Sequence, residues 1–211
     1  MIVDRLIVGH MKVNCYFCIN EKTNTGFIVD PGDDDAKICK HIEENGYNIT
    51  HIILTHGHFD HIMALKKVKD FTGGKIVIHK NDAPLLEDDN LNLLRYVARI
   101  KRDYVKEDII VREETLKTSD FEIEFINTPG HTDGSMCILC GDIMFSGDML
   151  FKGSIGRTDF KPYGDTKKMA DSIRRLKEIN KDYKVYPGHG EETTLREEIR
   201  SNPYFNENIW N

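Results

Sequence analysis

An apolar run at residues 49–54 stops at Thr55-His56-Gly57-His58-Phe59-Asp60-His61, and these seven residues carry three imidazoles and one carboxylate. Few sequence features constrain a fold more, because side chains this polar at the end of a buried strand must converge on something. In an extended segment, side chains two apart share a face, so His56 and His58 can reach one ion, and Gly57 puts no side chain between them. Where the chain then turns into a helix, Asp60 and His61 are displaced from that pair and suit a second ion a few ångströms away.

Three further candidates lie at predicted strand ends, each behind a glycine: His131 in Thr128-Pro129-Gly130-His131, Asp148 in Ser146-Gly147-Asp148 and His189 in Pro187-Gly188-His189-Gly190. They complete two sets. His56, His58 and His131 would hold one ion and Asp60, His61 and His189 the other, with Asp148 bridging both at the roughly 3.5–4 Å spacing of two-metal sites. Asp60 and Asp148 count as catalytic as well as ligating residues. Two divalent ions outweigh two aspartates, so the pocket is electropositive, lowers the pKa of a bridging water toward about 7 and polarises a carbonyl oxygen. Hydrolysis of an ester, thioester, amide or phosphoester is the reaction class expected of such a hydroxide. All-nitrogen and oxygen ligands do not discriminate sharply among zinc, iron and manganese, and two divalent ions are expected, zinc first among them.

The rest of the composition narrows the context. A net charge of −6 argues against a phosphate backbone or an anionic membrane as partner. No run reaches the ~18 apolar residues of a spanning helix, and Met1-Ile2-Val3-Asp4-Arg5 lacks the order of a signal peptide, so a cytoplasmic protein is expected. Five cysteines cannot all pair. Cys15 and Cys18, like Cys137 and Cys140, fall in strand-like runs, where residues three apart point to opposite faces and cannot clamp one ion.

No repeat or linker divides the chain, so one domain over 1–211 is expected. Strands are predicted at 5–8, 14–19, 26–29, 49–54, 75–79, 121–127, 135–139, 142–145 and 183–186. Helices are predicted from about 34 to 45, from the histidine cluster to about 71 and from 166 to 179, with Thr193 or Thr194 capping a last one. Apolar residues at helical spacing over 81–108 predict a helical stretch, with 81–106 a lid or a dimer surface; a second copy of the chain is a candidate partner. Strands followed by helices in both halves give a layered α/β fold.

The series T-H-x-H-x-D-H at 55–61, then His131, Asp148 and His189, resembles the metallo-β-lactamase superfamily, with Asp30-Pro31-Gly32 and Tyr186-Pro187-Gly188-His189-Gly190 similar to its early and late turns. The resemblance implies an αββα sandwich and a dinuclear site at these ligands. Within the superfamily, 147–151 and 153–160 resemble short bacterial glyoxalase II-like hydrolases, which implies a small acyl-glutathione thioester as substrate and an anion-binding role for Arg157. A chain of 211 residues leaves little room for the C-terminal helical domain that supplies much of glyoxalase II's glutathione site. The aromatic tail 203–210 is expected to dock, with Tyr204 and Phe205 forming a substrate wall in that domain's place. The alternative is a persulfide dioxygenase of the same superfamily, with one iron on His56, His131 and Asp148. The Pro187-Gly188-His189-Gly190 turn resembles the hydrolases more closely.

Overall fold

A computed structural model describes residues 1–98, 100, 102–160 and 162–210, with nothing stated of the Glu207 side chain. Two six-stranded sheets make its centre. The first holds β1 (Ile2–Val8), β2 (Val13–Asn20), β3 (Thr25–Val29), β4 (Asn48–Ile53), β5 (Lys75–His79) and β6 (Ile109–Val111) in chain order, antiparallel as far as β3 and parallel from there. The second uses β7 (Thr115–Lys117), β8 (Glu122–Asn127), β9 (Met136–Cys140) and β10 (Ile143–Gly147), with β13 (Lys184–Pro187) parallel to β10 and β14 (Thr193–Thr194) at its edge. A small hairpin, β11 (Leu150–Phe151) and β12 (Ser154–Ile155), stands apart.

The period of two in these strands builds three apolar layers. Cys15, Phe17 and Ile28 face one side of the first sheet and pack on α1 (Asp35–Asn45) and α3 (Leu65–Thr72) through Ile38, Ile42, Leu65 and Val68. Tyr16, Cys18, Phe27 and Val29 face the other side and meet Ile138, Cys140 and Phe145 between the sheets. Cys137, Leu139 and Met144 point outward to α5 (Thr166–Lys177) and α6 (Leu195–Ser201) through Met169, Ile173, Leu176 and Leu195. The fold is therefore an αββα sandwich. Each fully buried Leu, Ile or Phe adds roughly 1.5–3 kcal/mol to it. Cys15, Cys18, Cys137 and Cys140 divide between layers as the strand period requires, and they and Cys39 of α1 are free. Thr194 caps α6, its hydroxyl accepting from the Glu197 amide at 3.2 Å.

Two expected helices differ. The helix after the histidine cluster is broken into α2 (Phe59–Ile62) and α3, because the amides of Met63 and Ala64 donate to the carbonyls of Gly32 and Pro31. The Asp-Pro-Gly turn thus docks under the cluster, and a Cβ on Gly32 would lie 2.0 Å from the Asp60 carbonyl oxygen. Over 81–106 the described residues form only a 3₁₀ turn, Ala83–Leu86, and one turn of helix, α4 (Leu94–Val97); positions 99 and 101 lie outside the described residues. Side chains take the backbone groups there. Asn92 binds the Leu85 carbonyl and the Leu94 amide, and the Arg102 guanidinium binds the carbonyls of Leu85 and Leu86. Strands β6, β7, β11, β12 and β14 are too short for periodicity to reveal.

Candidate metal centre

The histidine cluster follows β4 at the edge of the sandwich where β8, β10 and β13 also end, and this brings the scattered ligands together. Nδ1 of His58 lies 2.8 Å from Nε2 of His131. Ligand atoms of His56, His58 and His131 all fall within 4.8 Å of one another, as do those of Asp60, His61 and His189. Asp148 sits between the sets: its Oδ1 is 3.4 Å from Nε2 of His61, and its Oδ2 is 3.6 Å from Nε2 of His131 and 3.5 Å from Nε2 of His189. Glycine is required at 188, where a Cβ would lie 2.3 Å from Oδ1 of Asp148.

The outer ring nitrogens are already committed, which aims the inner ones at the centre. Nδ1 of His131 donates to the Arg157 carbonyl at 2.8 Å, Nδ1 of His61 to Oδ2 of Asp30 at 2.9 Å, and Nδ1 of His189 to the Met11 carbonyl at 3.1 Å. Thr55 lies 3.1 Å from Nδ1 of His56 through its hydroxyl, which donates to Asp30 at 2.6 Å. Asp30 also approaches His56 and His61 closely enough to form a third ligand-like group. Because its carboxylate is occupied by Thr55 and His61, its part is support. Nε2 of His56, Nε2 of His61 and Oδ1 of Asp148 are buried with no hydrogen-bond partner among the described residues. Buried polar atoms left so are costly unless a cation engages them, so these donors fit metal ions.

The two sets differ electrostatically. Burial, with His131 beside it, pushes His58 down to about 3, and burial with the neighbouring imidazoles lowers His56 as well. Those rings are neutral and offer lone pairs. For His61, burial works toward the neutral form but is outweighed by Asp148, Asp60 and Asp30, which raise it. For His189, burial is likewise overcome by hydrogen bonds to Asp148 and Asp60, and its pKa rises to about 9. Carboxylates that hold protons on these rings are suited to share a divalent cation instead.

Asp82 escapes a reading of the sequence, because it stands alone in a stretch read as helix. It is wholly buried, accepting from the amides of Gly57 at 2.9 Å and Gly134 at 2.7 Å and from the Thr132 hydroxyl at 2.7 Å. It thereby ties the loop carrying His56 and His58 to the loop carrying His131. Asn14 and Tyr16 were also not legible as site residues: the Asn14 amide binds the Pro187 and Gly190 carbonyls, and the Tyr16 hydroxyl the Pro187 carbonyl, fixing the turn that carries His189.

Of the ligands, His58, Asp60, His131, Asp148 and His189 form the floor of a cavity of about 740 Å³ whose walls include Leu93, Tyr96, Phe151, Phe160 and Arg157. Arg157 lines this cavity, where its guanidinium forms a bidentate pair with Asp159, at 2.9 and 2.7 Å, and covers the Phe160 ring. Tyr204 and Phe205 do not line this cavity, which corrects the expected substrate wall. The Asn202 side chain binds the Ser154 carbonyl and Glu198 and turns the tail outward, so Phe205 enters the apolar layer beside α5 and Tyr204 packs on Trp210. The tail docks, as expected, but for packing.

With this geometry the comparisons with known proteins agree. The model of the metallo-beta-lactamase superfamily matches residues 8–189, and the chain belongs to that family. It is 35% identical over 208 residues to the probable metallo-hydrolase YqgX of Bacillus subtilis, covering 96% of each chain. It is 34% identical over 211 residues to the hydroxyacylglutathione hydrolase GloC of Haemophilus influenzae, covering 98% of this chain and 99% of that one. Among solved structures, the BLEG-1 B3 metallo-beta-lactamase superposes with a TM-score of 0.91 at 30% identity, over 96% of this chain and 99% of that one. TTHA1623 in a di-iron-bound form does so with 0.83 at 30% identity, over 95% and 99%. The protein is thus a metal-dependent enzyme of the hydrolase type. Among the described residues no helix is long and apolar enough to cross a membrane.

Proposed function

We propose that the protein hydrolyses a small acyl thioester at a dinuclear centre, with zinc the expected metal and iron or manganese also suited to the ligands. The observation that carries the reading is the convergence of two nitrogen and oxygen triples on one shared carboxylate at the floor of an open cavity. His56, His58 and His131 would hold one ion, Asp60, His61 and His189 the other, and Asp148 both. Bound there, two divalent ions supply acidified water and polarise the substrate carbonyl. The chain's own groups do the remaining work. Asp148 and Asp60 would keep negative charge beside the reacting centre. Asp30, Thr55 and the Arg157 carbonyl hold the imidazoles in orientation.

A thiolate, with a pKa near 8.5, departs without a proton donor, which suits a floor whose titratable groups are all committed to the ligand clusters. The likeness to a hydroxyacylglutathione hydrolase over nearly the whole chain supports the same reaction class. The test is release of thiol from S-lactoylglutathione and other acyl thioesters by protein with its metal content measured. Thiol release with close to two ions per chain is expected. Oxygen consumption on glutathione persulfide, with no thioester cleaved and one iron bound, would replace this reading with the dioxygenase.

A further inference from the structure

The cavity walls carry information that the ligand clusters do not. Leu93 reaches the cavity from a left-handed backbone, with φ of 73°, a conformation costly for a branched side chain. Its neighbour Asn92 enforces it. The Asn92 side chain is fully buried between the Leu85 carbonyl and the Leu94 amide, and the Asn92 carbonyl accepts from the amide of Phe59, next to Asp60. Strain of this kind, fixed by buried polar groups beside a reactive centre, is retained where it places a side chain for use. Tyr96 and Val97, in the turn that follows, also line the cavity while 75% and 62% exposed.

Aromatic rings flank the ligands as well. The Phe160 ring stands 5.8 Å from His58 and 6.1 Å from His131, and the Phe151 ring 6.2 Å from His189. Charge is arranged the other way. Away from the ligand clusters, Arg157 is the one cation among the described lining residues, and it is paired with Asp159. Glutathione brings two carboxylates, which such walls do not match; an apolar chain would cover Leu93, Tyr96 and the two phenylalanines.

We propose that the cavity selects acyl thioesters by an extended apolar acyl group lying along Leu93, Tyr96, Phe151 and Phe160, in preference to small hydroxyacyl esters of glutathione. This assignment rests on the thioester reading above for the reacting bond, though not for the wall. The reaction releases the free carboxylic acid and the thiol, so the class of reaction feeding the enzyme is one that acylates a thiol with a chain of several carbons.

The experiment has two arms on the metal-loaded protein. In the first, acetyl, butanoyl, hexanoyl and octanoyl thioesters of N-acetylcysteamine are compared with S-lactoylglutathione; kcat/KM is expected to rise with chain length, by up to about fourfold for each methylene buried. In the second, acetate and octanoate are titrated calorimetrically without turnover, and octanoate is expected to bind at least about tenfold more tightly. Leu93→Gly, which removes the side chain and relieves the left-handed strain, and Tyr96→Ala, at an exposed position, are both expected to flatten the two series. Equal affinity for acetate and octanoate overturns the apolar wall, and so does a higher kcat/KM for S-lactoylglutathione than for the octanoyl ester. If no thioester is cleaved while octanoate keeps its advantage in wild type and loses it in Leu93→Gly, the wall stands and the thioester reading falls.

Discussion

The two ligand clusters are held to different degrees, and the difference predicts how the centre fails. His56, His58 and His131 are almost fully enclosed, and their loops are tied together from beneath by Asp82. The second cluster has one deeply anchored member, His61 on Asp30, whereas the His189 side chain is 25% exposed on a turn fixed mainly through backbone carbonyls. A ligand set whose supports are buried keeps its geometry when the ion leaves; a set with an exposed member does not. In a chelator titration the second ion is therefore expected to leave first.

The largest effect belongs to the residue that erases the comparison. Asp148→Ala removes the carboxylate common to both sets and would leave the two proposed ions without a shared anionic ligand. Both metals and turnover should be lost, activity by more than about 10³-fold, as several kcal/mol of charge stabilisation disappear. Metal analysis after desalting checks this; a variant retaining two ions would show that Asp148 bridges nothing. Next comes His189→Ala, which touches the second cluster alone. One ion per chain should remain and activity should fall by more than about 100-fold, whereas retention of two ions would dissolve the distinction between the clusters. Asp82→Ala should then weaken the first cluster through its loops, by about 10–100-fold in metal affinity, the usual range for residues that support ligands from outside. Unchanged affinity for the first ion would make Asp82 a structural carboxylate only.

The clusters and the 81–106 stretch also differ in what a sequence can reveal. Histidines and aspartates at strand ends are legible because their chemistry is meaningful only if they converge, so 55–61, 131, 148 and 189 already imply a common centre. Apolar spacing at 81–106 is ambiguous. Leu86, Leu94 and the neighbours of Asn92 repeat at helical intervals, yet buried Asn92 and the Arg102 guanidinium hold the backbone in an irregular path that no periodicity encodes. The apolar strands and amphipathic helices of the four layers follow periods of two and 3.6 and were legible for that reason. Asp82 was hidden because a lone carboxylate gains meaning only from the donors folded around it, and Phe205 was misplaced because an aromatic near a terminus says nothing about which surface it meets.

The smallest effect expected is a pH dependence that isolates Asp82. Burial raises its carboxyl from 3.8 to about 6, against three hydrogen bonds that favour the ionised form. The folded state therefore binds more protons than the unfolded state between these values, and stability contributed by this group is full below about 4 and is lost as pH rises through about 6. Asp82→Asn cannot titrate. It keeps one acceptor oxygen for three donors, so it is less stable than wild type throughout, but its deficit should shrink as pH rises. Between pH 5 and 7.5 the difference should change by about 1 kcal/mol, roughly one pKa unit's worth. Urea unfolding of both proteins after chelation, across that range, reads it directly, since the titration of the histidine ligands is common to the two and cancels. Parallel profiles would mean that the carboxyl titrates alike in the folded and unfolded chains, and the clamp beneath the first cluster would then rest on the hydrogen-bond geometry of Asp82 rather than on its buried charge.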